Sequence, residues 1–113
     1  MLETGGRRRA TRVRANVSTP VGFIGSAEQF IAPLIDFSPF GLAVKTAREV
    51  KTGTIFRTGI QVGTGYFRAA AIVRRQETGM FAVEFLSMTP MDREMMHRLY
   101  LRLQMTGRDM LPN

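Results

Sequence analysis

The stretch Thr54–Leu86, TIFRTGIQVGTGYFRAAAIVRRQETGMFAVEFL, decides the fold. Thr54 to Val62 alternates loosely between apolar and polar residues, and Tyr66 to Arg74 follows as a second such run. Met80 to Leu86 places Phe81, Val83 and Phe85 at every second position. A period of two with one apolar side is the pattern of a half-buried strand. Gly63-Thr64-Gly65 and Gln76-Glu77-Thr78-Gly79 separate the three runs. Glycine supplies the positive φ that tight hairpin turns require. Three consecutive strands joined by short turns make an antiparallel meander.

The same pattern continues toward the N-terminus. Leu42 to Thr46 is a short strand, and Gln29 to Ile35 is another with mixed patterning. Between them, Asp36-Phe37-Ser38-Pro39-Phe40-Gly41 has the residues of a tight connection. Gly25-Ser26-Ala27-Glu28 is a further turn. Before it, Val13, Ala15 and Val17 fall on one side of an alternating run that extends past Pro20 to Phe23 and Ile24. Pro20 marks an edge or a bulge in that strand. Six strands at regular spacing predict a six-stranded antiparallel β-barrel.

After Leu86 the period changes. Thr89-Pro90-Met91-Asp92 offers an N-cap threonine, a proline at the first helical position and an early acid. Met91, Met95, Leu99 and Leu103 recur at helical spacing, and Glu94 and Arg98 form an i,i+4 pair in the favourable order. The spacing predicts one amphipathic helix of about 15 residues, its methionine and leucine stripe facing the core, with Gly107 as its stop. The fold class is therefore all-β with one C-terminal helix. Residues 1–7 read as a flexible arm, 8–107 as the domain and 108–113 as a tail.

Composition excludes several kinds of function. Among 113 residues there is no cysteine and one histidine, so thiolate chemistry, Cys-ligated zinc and a His-rich metal site are all excluded within one chain. The histidine, His97, falls on the outer side of the predicted helix and reads as a surface residue. Carboxylates do not cluster, and no catalytic constellation is legible, so the chain is not expected to be an enzyme. No apolar run approaches the ~20 residues of a membrane span, and the N-terminus lacks a secretory h-region. A cytoplasmic protein is the simplest expectation. Gly59, Gly63 and Gly65 precede a strand, not a helix, so they are not a phosphate loop.

The net charge is +7, and it is unevenly placed. Arg7, Arg8, Arg9, Arg12 and Arg14 supply five of the sixteen basic residues, and the other eleven nearly balance nine acids. The charge therefore points to a local anion site near the N-terminus. Arg8 and Arg12 share a face in either extended or helical chain. Two planar guanidinium forks could grip two ends of one anionic ligand, and the same fork matches guanine O6 and N7. A solvated basic tail or a nonspecific nucleic-acid arm accounts for the same residues. In the 36–41 segment, Asp36 can accept from a guanine Watson–Crick edge and Ser38 can serve phosphate or base. Gly41 would allow close approach of backbone to ligand. An ordinary strand-to-strand turn accounts for these residues as well.

Together the two motifs carry more than either alone. Arg8-Arg9-Ala10-Thr11-Arg12 before the first strand, followed by the DxSxxG pattern of Asp36, Ser38 and Gly41 after the second, resembles the PilZ domain family. Gly79–Leu86 and the capped helix after it are similar to that family's last strand and C-terminal helix. The resemblance spans about residues 7–105 and implies a six-stranded barrel that is a bacterial receptor for cyclic di-GMP. It implies that Arg8 and Arg12, with Arg9 between them, hold guanine and phosphate groups from a closing arm. Asp36, Ser38 and Gly41 would form the opposite wall. Arg7 stands where the family's ligand stoichiometry is set, and an arginine there implies an intercalated pair of cyclic di-GMP molecules. An unidentified downstream protein would read the switch, in motility, biofilm or exopolysaccharide output. Arg74 and Arg75 would join the site if the barrel brings them near Asp36. Two other classes remain: a PilZ-like interaction module without nucleotide, and a nonspecific nucleic-acid-binding barrel. No aromatic residue is interleaved with the arginines, which counts against the latter.

Overall fold

A computed structural model describes residues 12–15 and 19–110, with side chains as far as residue 105. The elements in chain order are β1 (Val13–Arg14), β2 (Pro20–Ile24), β3 (Gln29–Ser38), β4 (Gly41–Lys45), β5 (Ile55–Val62), β6 (Gly65–Glu77), β7 (Met80–Ser87) and α1 (Pro90–Met110). All pairings are antiparallel. Six strands run β3-β2-β5-β6-β7-β4, and the β3–β4 pairing closes them into a barrel. Closure leaves no long unpaired edge. The two-residue β1 pairs with the distal part of β3, in line with β2. The expected single first strand is thus interrupted. A straight ladder from Arg14↔Asp36 would set Val17 opposite Pro33, yet Pro20 is there, three positions later.

Alternation explains most of the core. On β3, Phe30, Ala32 and Leu34 point inward and are buried, and on β7 Phe81 and Val83 do the same. Phe23, Phe30, Phe56 and Phe81 fill one end of the barrel, with Phe23 5.1 Å from Phe81 and 5.2 Å from Phe30 between ring centroids. Phe37, Phe67 and Phe85 form a second cluster, each pair about 6 Å apart, and Tyr100 of α1 closes over Phe37. Each fully buried phenylalanine contributes roughly 1.5–3 kcal/mol.

Hairpin chemistry follows the glycines. In the two-residue β5–β6 turn only Gly63 has positive φ, at 61°, which is the type II′ pattern. Gly79, at 85°, turns β6 into β7. Strand β6 extends to Glu77, so that turn is shorter than the sequence suggested.

The helix begins as expected. Thr89 Oγ1 accepts from the Asp92 N–H at 3.0 Å and donates to Asp92 Oδ2 at 2.7 Å. Asp92 Oδ1 in turn accepts from the Arg68 N–H at 3.1 Å, which ties the cap to β6. Two expectations are corrected. The helix has 21 residues and runs through Gly107, because a mid-helix glycine costs only about 1 kcal/mol and does not by itself stop a helix. The buried stripe is Met96, Leu99 and Leu103, while Met91, five residues and about 140° round the helix from Met96, is 77% exposed.

Candidate functional site

Two strand irregularities shape one groove on the barrel. The β3–β4 register slips between Leu34 and Asp36, so Ile35 is an extra residue on β3. A bulge reverses the phase of alternation beyond it. Leu34 is inside before the bulge and Phe37 is inside after it. Unbroken alternation would have sent Asp36 into the core and Phe37 into solvent. The bulge therefore exports the carboxylate and seats the phenylalanine in a single step.

The second slip lies between Val73 and Arg75, making Arg74 the extra residue on β6. Strict alternation would turn one of two adjacent arginines inward. With the bulge, both are exposed and both line the groove with Asp36. The groove encloses about 340 Å³. Arg12, Asp36, Arg74, Arg75 and Glu84 give it its charge, and Phe40 and Gly41 form one lip.

Arg12 binds Asp36 directly. Its Nε donates to Asp36 Oδ1 at 2.9 Å, and its Nη2 lies 2.7 Å from the same oxygen. Among the described residues, Asp36 Oδ2 has no partner. The pair is half exposed, at 46% and 26% of the two side chains. Arg74 Nε contacts Glu84 Oε1 at 2.8 Å, and Arg75 Nε lies 3.2 Å from Glu77 Oε2. Each groove arginine is thus turned toward an acid at the surface, where such pairs exchange at little cost.

The other residues expected from sequence have different places. Ser38 and Asp36 lie on the end of β3, not in a loop, because β3 extends to Ser38 and the turn is only Pro39-Phe40. Ser38 is buried, and its Oγ accepts from the Phe40 N–H at 3.1 Å. It braces the turn and is not among the residues lining the groove. Gly41 does line it, but packing supplies a reason of its own for glycine. A Cβ there would run into the Val83 carbonyl oxygen, with the Val83 carbonyl carbon at 3.1 Å and Glu84 Cα at 3.2 Å. Arg7, Arg8 and Arg9 lie outside the described residues. His97 is exposed on α1, away from this groove.

Sequence reasoning missed Glu84 and Phe40, and left Arg74 and Arg75 open. The adjacent charged pair Arg74-Arg75 was the available signal that alternation does not run unbroken through this strand, though not of how it breaks. Glu84 carries no such mark; only the Gly41↔Glu84 register brings it here.

No helix among the described residues is long and apolar enough to cross a membrane. Among the same residues, no group of three or more acids and histidines is placed to hold a metal ion.

Comparison with known proteins bears on the whole chain. No curated protein matches it. Solved structures do. The PilZ domain of YcgR from Escherichia coli, solved with c-di-GMP, superposes with a TM-score of 0.75 at 20% identity, covering 91% of this chain and 95% of that one. The PilZ domain of CeSA from a cellulose-synthesizing bacterium gives 0.70 at 16% identity over 84% and 99%. The Bacillus subtilis inhibitor of motility MotI/DgrA gives 0.70 at 20%, over 89% of this chain and 53% of that longer one. These likenesses establish the barrel. The PilZ domain family model matches residues 6–102. With that match spanning most of its length, the chain belongs to the PilZ domain family.

Proposed function

We propose that this chain is a bacterial receptor for cyclic di-GMP that performs no chemistry and changes conformation on binding. The observation that carries the reading is the Arg12–Asp36 pair at the edge of a groove that also holds Arg74 and Arg75. It joins the arginine motif to the DxSxxG motif across 24 residues of sequence. A cyclic dinucleotide brings two phosphates and two guanines. It needs cations for the phosphates, donors for O6 and N7, and an acceptor for N1–H and N2–H. Asp36 is the acceptor, with Oδ2 unengaged among the described residues. Arg12 and Arg8 are the forks, and Arg74 and Arg75 extend the cationic wall.

Arg7, Arg8 and Arg9 complete the site from the N-terminal side in this reading, and Ser38 acts by holding the Pro39-Phe40 turn. The domain is then residues 8–107, with Arg7 contributed by the arm of residues 1–7, and ordering of that arm is the switch read by a downstream protein. A relative solved with c-di-GMP on the same fold supports the ligand class.

Isothermal titration calorimetry at physiological salt tests the proposal. Wild type binds cyclic di-GMP, and Arg8→Ala and Arg12→Ala each weaken binding by ten- to a hundred-fold, from ~1.5–3 kcal/mol per charge-assisted bond. Two ligands per chain is the stoichiometry expected with Arg7 in place. Absence of any heat in the wild type sinks the proposal, and wild-type affinity in both variants sinks the site assignment.

A further inference from the structure

The outer face of β2, β5 and β6 breaks the usual rule for an antiparallel sheet. One side should be apolar and packed, and the other polar and solvated. Here Ile24, Ile55 and Tyr66 are 53%, 57% and 49% exposed, and Ile31 on the adjoining β3 is 73% exposed. Scattered exposed apolar residues need no explanation, but a contiguous group on one sheet face does. The registers make it contiguous: Ile24 pairs with Arg57 and with Gln29, and Gly22 pairs with Ile31 and with Gly59.

A groove of about 250 Å³ crosses the middle of this face. Gly22 and Gly59 lie side by side in it; the Tyr66 ring covers Gly59, where a Cβ would meet it at 2.7 Å, while above Gly22 the nearest atoms to a Cβ are the Gly59 carbonyl oxygen and the Tyr66 hydroxyl, both at 3.9 Å, which leaves an open slot. Arg57 and Arg68 flank it. Neither guanidinium forms an ion pair among the described residues, and Arg68 has only the Tyr66 ring, 5.8 Å from its carbon. Arg12, Arg48, Arg74, Arg75 and Arg98 are each set against an acid, whereas Arg57 and Arg68, like Arg14, Arg93 and Arg102, have no such partner among the described residues; only Arg57 and Arg68 flank a groove on this face. The outward positions of β2, β5 and β6 along this face carry no Asp or Glu as far as Ile72.

We infer that this face docks an acidic protein segment, which inserts an apolar side chain into the slot above Gly22, against the Tyr66 ring, and sets carboxylates against Arg57 and Arg68. Charge complementarity carries the choice of occupant. Two free guanidiniums flanking an apolar slot match a short motif of an apolar anchor with acids on either side, and arginine forks suit carboxylates. An anionic membrane surface calls for four to eight clustered cations, roughly, and a flat face with two does not supply them. No residue of this groove lines the Arg12–Asp36 groove, so the two sites are separate.

The test is selection of peptides from a random phage-displayed library on the full chain. Selected peptides should carry Asp or Glu on both sides of a Leu, Ile or Phe. Their affinity should fall by about tenfold or more for Arg57→Glu and for Arg68→Glu, both exposed changes expected to leave the fold intact. Titration of one selected peptide should shift the NMR signals of Ile24 and Tyr66. Peptides without acidic residues, or peptides that bind both variants like wild type, overturn the inference. So does binding to phosphatidylserine vesicles that Arg57→Glu abolishes, which would assign the face to a membrane surface. Self-association of the wild type that is lost in Arg57→Glu also overturns it, assigning the face to a second copy.

Discussion

Replacing Gly41 by alanine should destabilise the protein before any ligand is added. Where the backbone tolerates it, Gly→Ala stabilises by about 0.4–1 kcal/mol, because alanine has less freedom to lose on folding. Gly41 has no positive φ to forbid the change. The obstacle is space. A Cβ would collide with the Val83 carbonyl oxygen and lie 3.1 Å from its carbon and 3.2 Å from Glu84 Cα. All three atoms are backbone, so none can rotate aside. Relief requires β4 to move away from β7 at the Gly41↔Glu84 pair. Overpacking of this kind costs roughly 1–3 kcal/mol. Taking about 2 kcal/mol, a chain of this size loses about 8 °C in Tm, given an unfolding entropy near 2.1 cal/mol/K per residue. Urea and thermal unfolding of the ligand-free protein measure it directly. The sign decides the matter: a Gly41→Ala protein as stable as wild type or more so refutes the packing argument. The glycine of this motif would then have to be explained by the ligand alone.

Three further outcomes follow from the geometry. A double-mutant cycle on Arg12 and Asp36, read by urea unfolding without ligand, should give a coupling of about 1 kcal/mol, since the pair lies at the surface with Arg12 46% and Asp36 26% exposed. Asp36→Asn should weaken cyclic di-GMP binding in calorimetry although it makes the groove more positive; tighter binding would show that the groove attracts the ligand by charge alone. Thr89→Ala removes the acceptor for the Asp92 N–H and should cost about 1 kcal/mol in thermal unfolding.

The strands and their turns were legible because alternation and glycine placement are local properties. Phe81, Val83 and Phe85 announced β7, and Gly63 announced its hairpin. What alternation cannot show is where it breaks. A bulge is one extra residue with no composition of its own, so β3 read as ending at Ile35 when it continues to Ser38. Asp36 and Ser38 therefore looked like turn residues. The first strand read as continuous because Val13, Ala15 and Val17 keep the period, while the offset between β1 and β2 is visible only against β3. In the helix, the 3.6-residue period was clear, but Met91, Met95 and Met96 mark two faces, and only docking on the barrel selects between them. Met96 is buried with Leu99 and Leu103, and Met91, about 140° round the helix, is not. The arginine motif and the acidic motif were both visible, and their meeting was not. A contact across 24 residues depends on β1 lying beside β3, which no spacing rule reports.

The two bulges also explain how a small barrel builds a polar site without weakening its core. A barrel of this size fills its interior with side chains, so each inward position is committed to packing. A carboxylate placed inward would be buried at a cost of several kcal/mol. By adding Ile35 to β3, the chain keeps Leu34 and Phe37 inside and sets Asp36 at the surface between them. By adding Arg74 to β6, it turns two adjacent arginines outward on the facing strand while Val73 stays buried. The resulting groove holds acids and arginines already in contact. Exposed pairs are worth little individually, so a ligand that offers better acceptors to the arginines and better donors to Asp36 displaces them cheaply. The same pairs restrict the Arg12 and Arg74 side chains before any ligand arrives, which, under the proposed function, would lower the side-chain entropy lost on binding. Core packing and site geometry are therefore one feature of the chain. A change that removed either bulge would be felt first in Phe37 or Val73, and only through them in the groove.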